Sequence, residues 1–161
     1  MIGPLVNPDA SERLANLIAD SVREGAKLVT GGKVDGPFMT ATVLDHVTSK
    51  MRIFDEETFG PVTCVVRARG VDDAVRLANE TEYGLSGAVF GRDVNRALSV
   101  ALRIQSGSCH VNGPTVQDEA QIPFGGTKAS GYGRFGGRAV IDEFTELRWI
   151  TIESTPQHYP F

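Results

Sequence analysis

Between Val62 and Val111 the chain alternates short apolar runs with amphipathic helical segments. Residues 63–67 form the first run, and the apolar stretch Val62–Val66 reads as a strand buried on both faces. Asp72 then caps a helix with Ala74, Val75 and Ala78 inward, ending near Gly84. Residues 85–90 make a second strand. Asp93 caps a second helix with Val94, Ala97, Leu98, Ala101 and Leu102 inward, ending at Gly107. Ser108–Val111 closes the series as a third strand. Helical crossovers of this kind return the chain parallel to the strand it left, with right-handed connections. The expected class is therefore α/β, a βαβαβ parallel sheet.

Upstream, Asn7 and Pro8 open a helix, since asparagine caps well and proline suits the first helical position. Leu14, Leu17, Ile18 and Val22 share one face at helical spacing, and Gly25 is the stop. Lys27–Thr30 is a short strand before a Gly31-Gly32 turn, and residues 40–44 are another. Glycines crowd between Gly113 and Gly137, which marks a loop, and a short helix follows over residues 137–144.

Composition narrows the functional classes. With 161 residues and 41% apolar content the chain is about one domain long and can bury a core. A net charge of −4 gives no electrostatic footing for nucleic acid or an anionic membrane. No run approaches the ~18 apolar residues of a transmembrane helix. The opening MIGPLVNPD has neither the charged nor the apolar region of a secretory signal. Cys64 and Cys109 both lie in apolar runs, without CxxC or metal-ligand spacing, so a reducing cytoplasm is the expected setting.

Chemistry concentrates at residues 55–62, which read DEETFGPV. An acidic, aromatic Gly-Pro turn leads here into a core strand, and ligand sites of α/β folds are built on loops held by such strands. Asp55, Glu56 and Glu57 admit three readings: a metal site, an acid/base pair, or a solvated turn. Phe59, two residues after Glu57, adds a fourth, because a carboxylate beside an aromatic suits a ribose. Gly131, Gly133 and Gly136 match GxGxxG, but loop rather than strand precedes them, so turn geometry is the expected role. Cys109 and His110 are adjacent on a strand and must point to opposite faces, which rules out a dyad. Both cysteines read as small core residues. His46 and His158 are isolated and solvated.

The tail, residues 147–152, reads LRWITI, with Leu147 and Trp149 on one strand face and Ile150 and Ile152 on the other. An unpaired strand of this kind invites aggregation. It is expected to add to a sheet in another domain or subunit; an edge strand of the chain's own sheet is the alternative.

Five blocks stand in a recognisable order: EETFGPV at 56–62, NETEYGL at 79–85, VN at 111–112, PFGG at 123–126 and SG at 130–131. Their order and spacing resemble the aldehyde dehydrogenase superfamily across essentially the whole chain. The match is to about the last third of a family member: the later catalytic domain and the C-terminal strand. Within the superfamily the chain is similar to bacterial benzaldehyde, vanillin and salicylaldehyde dehydrogenases. The blocks CHVNGPTV (109–116), DEAQ (118–121), FTELRWITI (144–152) and QHYP (157–160) carry that likeness.

The resemblance implies a partial aldehyde dehydrogenase catalytic domain over 1–144 and an oligomerisation strand and tail over 145–161. It implies NAD or NADP as cofactor, with Glu57 hydrogen-bonding the nicotinamide ribose and Phe59 packing beside it. Phe124 matches an aromatic near the mouth of the aldehyde tunnel. The loop 113–122 matches the variable loop that shapes substrate choice, which makes Val116 and Ile122 substrate-lining candidates. The partners implied are a small aromatic aldehyde and further copies of the chain, in a homodimer or homotetramer joined by the tail strand. The family nucleophile, a cysteine in a Gly-Gln-x-Cys context, is absent. So are the glutamate base, the oxyanion asparagine and the Gly-rich coenzyme loop. Family chemistry is thiolate attack on the aldehyde, hydride transfer to NAD(P)+ and thioester hydrolysis. The chain is thus expected to be the C-terminal part of such an enzyme and inactive alone. The rival expectation is a non-catalytic assembly module that pairs with full-length relatives.

Overall fold

A computed structural model describes residues 2–158 and 160; Tyr159 of the QHYP block lies outside the described residues. The elements run α1 (Pro8–Arg23), β1 (Lys27–Thr30), β2 (Val34–Asp35), β3 (Phe38–Met39), β4 (Thr42–Val47) and α2 (Arg52–Asp55). There follow β5 (Val62–Val66), α3 (Val71–Glu80), β6 (Tyr83–Gly84), β7 (Ser86–Val89), α4 (Val94–Ala101), β8 (Ser108–Val111), β9 (Thr127–Lys128) and α5 (Ala139–Phe144).

The first helix forms as its sequence requires. Asn7 Oδ1 accepts the amide of Ala10 at 2.8 Å, and Pro8 occupies the first turn. The chain leaves the helix through Gly25 at φ +110°. Leu14, Leu17 and Ile18 are buried, but Val22 is 42% exposed and Ser21 takes its place inside, its hydroxyl donating to the Leu17 carbonyl. These leucines pack with Ala26, Met39, Leu44, Val47, Met51 and Ile53 in one core cluster.

The parallel crossover expectation holds locally and fails globally. β4 and β5 pair in parallel, as do β7 and β8, while β1 pairs antiparallel with β4. β5 does not bond to β7: the strands fall into a β1-β4-β5 sheet and a separate β7-β8 pair. The fold is thus α/β with mixed sheets rather than one βαβαβ parallel sheet. β5 is half-buried rather than covered on both faces: Val62, Cys64 and Val66 pack against the core cluster, while Thr63 on the other face is exposed.

Three further expectations are corrected. α3 begins after Gly70, not at a capping Asp72; Asp73 instead takes the amide of Arg69 at 3.0 Å, and the helix ends at Glu80. Only Val75 of its expected inner face is buried. On α4, Asp93 does cap, accepting from Arg96, but only Ala97 and Ala101 are buried, while Val94, Leu98 and Leu102 are exposed. Small residues let α4 approach the β7-β8 pair closely, and its larger side chains are left on the far side. The tail 147–152 forms no strand and pairs with no sheet among the described residues; Leu147 and Trp149 are fully or almost fully exposed. That removes the alternative in which the tail edges the chain's own sheet.

Candidate functional site

The DEETFGPV turn is held from two sides. Arg52 on α2 donates to Glu56 through Nε at 2.9 Å and Nη2 at 2.5 Å. Arg13 on α1 lies 3.6 Å from the other Glu56 oxygen and donates to the carbonyl of Thr58 at 2.8 Å. Glu56 is therefore spent on structure. Gly60 lies against α1, where an added Cβ would stand 2.3 Å from Leu14 Cδ1, and the Pro61 carbonyl accepts the Thr42 amide at 2.8 Å to start the β4-β5 pairing.

Within this clamp Phe59 adopts φ +47° and is 79% exposed. An aromatic in the left-handed region costs energy and persists only where its surroundings impose it. The Glu57 carboxylate makes no ion pair or hydrogen bond among the described residues. It lines an open cleft of about 600 Å³ with Tyr83, Gly84, Ser86, Gln105 and Ser130. The Tyr83 phenol is pushed above its usual value, first by the Glu82 carboxylate, then by burial and by Glu57.

Most other motif residues lock backbone to backbone. Asn79 accepts the Gln105 amide at 2.8 Å and donates to the Arg103 carbonyl at 2.9 Å. Asn112 closes the same kind of bridge on Gly91, at 2.8 and 2.9 Å. Ser130 Oγ accepts the Gly84 amide at 2.9 Å, and Lys128 Nζ donates to the carbonyls of Asn79 and Thr81. At Gly107 a Cβ would strike the Gly125 carbonyl, so the PFGG block runs flush against the start of β8. The glycines of GxGxxG serve turns: Gly131, Gly133 and Gly136 all have positive φ, and the Glu143 carboxylate fills the space beside Gly133.

A second, smaller cavity of about 100 Å³ lies under the loop after β8, with Ile122 and Phe124 in its wall together with Ser108 and His110. Phe124 is pinned there by reciprocal backbone hydrogen bonds with Phe135, at 2.6 and 2.7 Å. Val116 is 92% exposed and lines neither cavity. The candidate residues thus fall in two places: Glu57 and Phe59 on the clamped turn, Ile122 and Phe124 under the loop. Cys109 faces Gly87, away from His110, and burial raises the thiols of both Cys109 and Cys64. Neither has the electropositive setting that activates a thiolate. Among the described residues no His, Cys, Asp and Glu group suits a metal, and no helix is long and apolar enough to cross a membrane. Sequence reading missed Arg13, whose role depends on a contact 45 residues away with nothing local to signal it.

A clamped turn leading into a parallel strand, carrying one unspent carboxylate and one exposed ring, is the candidate site of an α/β fold. The aldehyde dehydrogenase family model matches residues 1–150, and the chain belongs to that family. It is 60% identical over 161 residues to a salicylaldehyde dehydrogenase of Pseudomonas putida, covering 100% of this chain and 33% of that protein. It is 52% identical over 160 residues to a vanillin dehydrogenase of Pseudomonas fluorescens, covering 99% and 33%. The chain therefore spans about a third of the length of the curated relatives it matches. Among solved structures, the salicylaldehyde dehydrogenase of Pseudomonas putida G7 complexed with salicylaldehyde superposes at TM-score 0.93 and 60% identity, over 99% of this chain and 33% of that one. A Mycobacterium tuberculosis aldehyde dehydrogenase complexed with NAD+ gives TM-score 0.84 at 36% identity, over 91% and 31%. The glyceraldehyde-3-phosphate dehydrogenase GapN of Methanocaldococcus jannaschii complexed with NADP gives 0.80 at 33%, over 88% and 30%.

Proposed function

We propose that this chain is the later part of the catalytic domain of an NAD(P)+-dependent dehydrogenase that oxidises aromatic aldehydes to carboxylic acids. The observation that carries the reading is the turn: of its two adjacent glutamates, Glu56 is tied to two arginines and Glu57 is left with no partner among the described residues. An unspent carboxylate fits a ribose, because its oxygens accept hydroxyl hydrogen bonds, and the exposed Phe59 ring offers an apolar face beside it. When bound, the nicotinamide group supplies the hydride acceptor. Glu57 and Phe59 orient it, Arg13 holds their backbone, and Ile122 and Phe124 form part of the aldehyde's apolar wall. Val116 belongs to the same variable loop and reaches that wall only if the loop closes. The 60% identity to a salicylaldehyde dehydrogenase supports an aromatic substrate.

In this reading the nucleophile, the base and the coenzyme phosphate loop come from sequence outside the chain, in keeping with its coverage of a third of its relatives. Residues 1–144 are the catalytic part. The tail 145–161 pairs with another subunit's sheet in a homo-oligomer, which its exposed Leu147, Trp149, Ile150 and Ile152 support. Two free thiols suit a reducing cytoplasm.

The test is steady-state oxidation of benzaldehyde by the full-length polypeptide containing this segment, beside the 161-residue chain alone. The full-length enzyme reduces NAD+ or NADP+, and Glu57→Gln lowers kcat/KM by about 10- to 100-fold, the worth of a hydrogen bond to a charged group. The isolated chain is inactive. Activity of the isolated chain, or an unaffected Glu57→Gln enzyme, refutes the assignment. Removing residues 145–161 lowers the sedimentation coefficient of the full-length enzyme if the tail joins subunits.

A further inference from the structure

The small cavity under the loop after β8 contains a feature that the cofactor corner does not use. His110 Nε2 is shielded from solvent and has no hydrogen-bond partner among the described residues. Buried polar nitrogens are almost always paired, and an orphan marks a place where a partner belongs. Two of the cavity's other polar groups are already engaged. Ser108 Oγ donates to Ser86 Oγ at 3.0 Å, and the Glu119 carboxylate accepts from Gln121. Gln117 and Asp118 also line it and are exposed to solvent. The remaining wall is apolar, with Ile122 and Phe124. An apolar wall with one unpaired buried polar atom is the usual make-up of a site that fixes a ligand's orientation. At about 100 Å³ the space is smaller than the ~150 Å³ that takes a whole benzene ring, so it suits the substituted edge of one.

We propose that His110 is a specificity-determining residue whose Nε2 hydrogen-bonds the ring hydroxyl of a hydroxylated aromatic aldehyde, seated between Ile122 and Phe124. The inference rests on the aromatic-aldehyde reading above and deepens it. A neutral imidazole nitrogen can accept from a phenol or donate to it. A site built around a substrate hydroxyl rejects the analogue that lacks it, because its own polar group is then left unpaired. Benzaldehyde would leave Nε2 orphaned, and a hydroxybenzaldehyde would satisfy it.

The experiment compares kcat/KM for benzaldehyde, 2-hydroxybenzaldehyde and 4-hydroxybenzaldehyde in the full-length enzyme containing this segment. His110→Phe is expected to lower the ratio of the better hydroxylated substrate to benzaldehyde about tenfold, with His110→Gln restoring most of it, since glutamine Nε2 can stand close to the lost nitrogen. An equal change for all three substrates overturns the proposal and assigns the orphan to an internal water or another segment of the polypeptide. A measurement free of variants guards against misfolding: phenol should inhibit the unsubstituted enzyme at least about tenfold more tightly than toluene, and equal inhibition constants also overturn the proposal. If the unsubstituted enzyme oxidises none of the three aldehydes, the functional reading fails rather than the role of His110.

Discussion

The first 54 residues and those that follow behave as two kinds of protein. The core cluster draws all nine of its buried members from positions between Leu14 and Ile53. Beyond Ile53 the buried apolar residues are Val75, Ala97 and Ala101, none of them large. Leu98, Leu102, Tyr132, Phe135, Phe144 and Trp149 are instead exposed. The hydrogen-bonded locks are as dense in the second region as in the first, so its backbone is well specified while its apolar side chains stay uncovered. A region can thus be ordered by polar bracing while its large apolar side chains stay exposed. The candidate turn sits at the seam, held by arginines from the closed region and opening toward the uncovered one.

The contrast is broken or upheld most sharply by paired truncations. Leu14→Ala should destabilise the chain by about 2–5 kcal/mol in urea unfolding, as expected of a fully buried leucine. Leu98→Ala, on the exposed side of α4, should stay within about 0.5 kcal/mol. Equal losses would mean that the second region closes a core of its own.

Gly60→Ala addresses the seam. The new methyl would meet Leu14 Cδ1 at 2.3 Å and Leu5 Cδ2 at 3.1 Å, which is overpacking of about 1–3 kcal/mol. Because the obstacle is the Leu14 side chain itself, Gly60→Ala should cost less in a Leu14→Ala background than alone, and the double-mutant cycle should show coupling. Strict additivity would show that the turn does not rest on the core.

The sequence made the local elements legible where cap, periodicity and stop agree, as in α1 with Asn7, Leu14-Leu17-Ile18 and Gly25. It misled where the pattern assumed a neighbour. Val62–Val66 reads as buried on both faces because its residues are apolar, yet burial depends on what packs over each face, and only the face of Val62, Cys64 and Val66 meets the core cluster. The same holds for Val94, Leu98 and Leu102, whose apolar spacing says that they want cover without saying whose. At the site, Glu57 and Phe59 stood out as a motif, but the difference between Glu56 and Glu57 did not. Two arginines decide it, one of them reaching across from α1. His110 was correctly set apart from Cys109 by strand alternation, but its orphaned nitrogen depends on a loop fold that no local pattern encodes.

The smallest expected effect concerns the parallel pair that carries the turn. Arg67 on the chain just after β5 donates to Asp45 on β4 through Nε at 2.9 Å and through Nη2. That guanidinium is the main reason the Asp45 carboxyl falls from 3.8 to about 2, with the His46 amide assisting and burial opposing. A carboxyl whose folded value is depressed contributes stability above its unfolded value and loses it as pH falls through the folded one. The ion pair should therefore hold undiminished above about pH 4 and fade between about pH 4 and 2. Arg67 is 66% exposed, so water screens the pair and its share of the total is small. Urea midpoints of the parent and of Asp45→Asn should differ near neutrality and converge as the pH drops through that window. Their difference isolates Asp45 from the other carboxyls that titrate alongside it. A gap that persists unchanged to pH 2 would mean that the asparagine disturbs the β4-β5 pairing itself and that the charge contributes nothing to it.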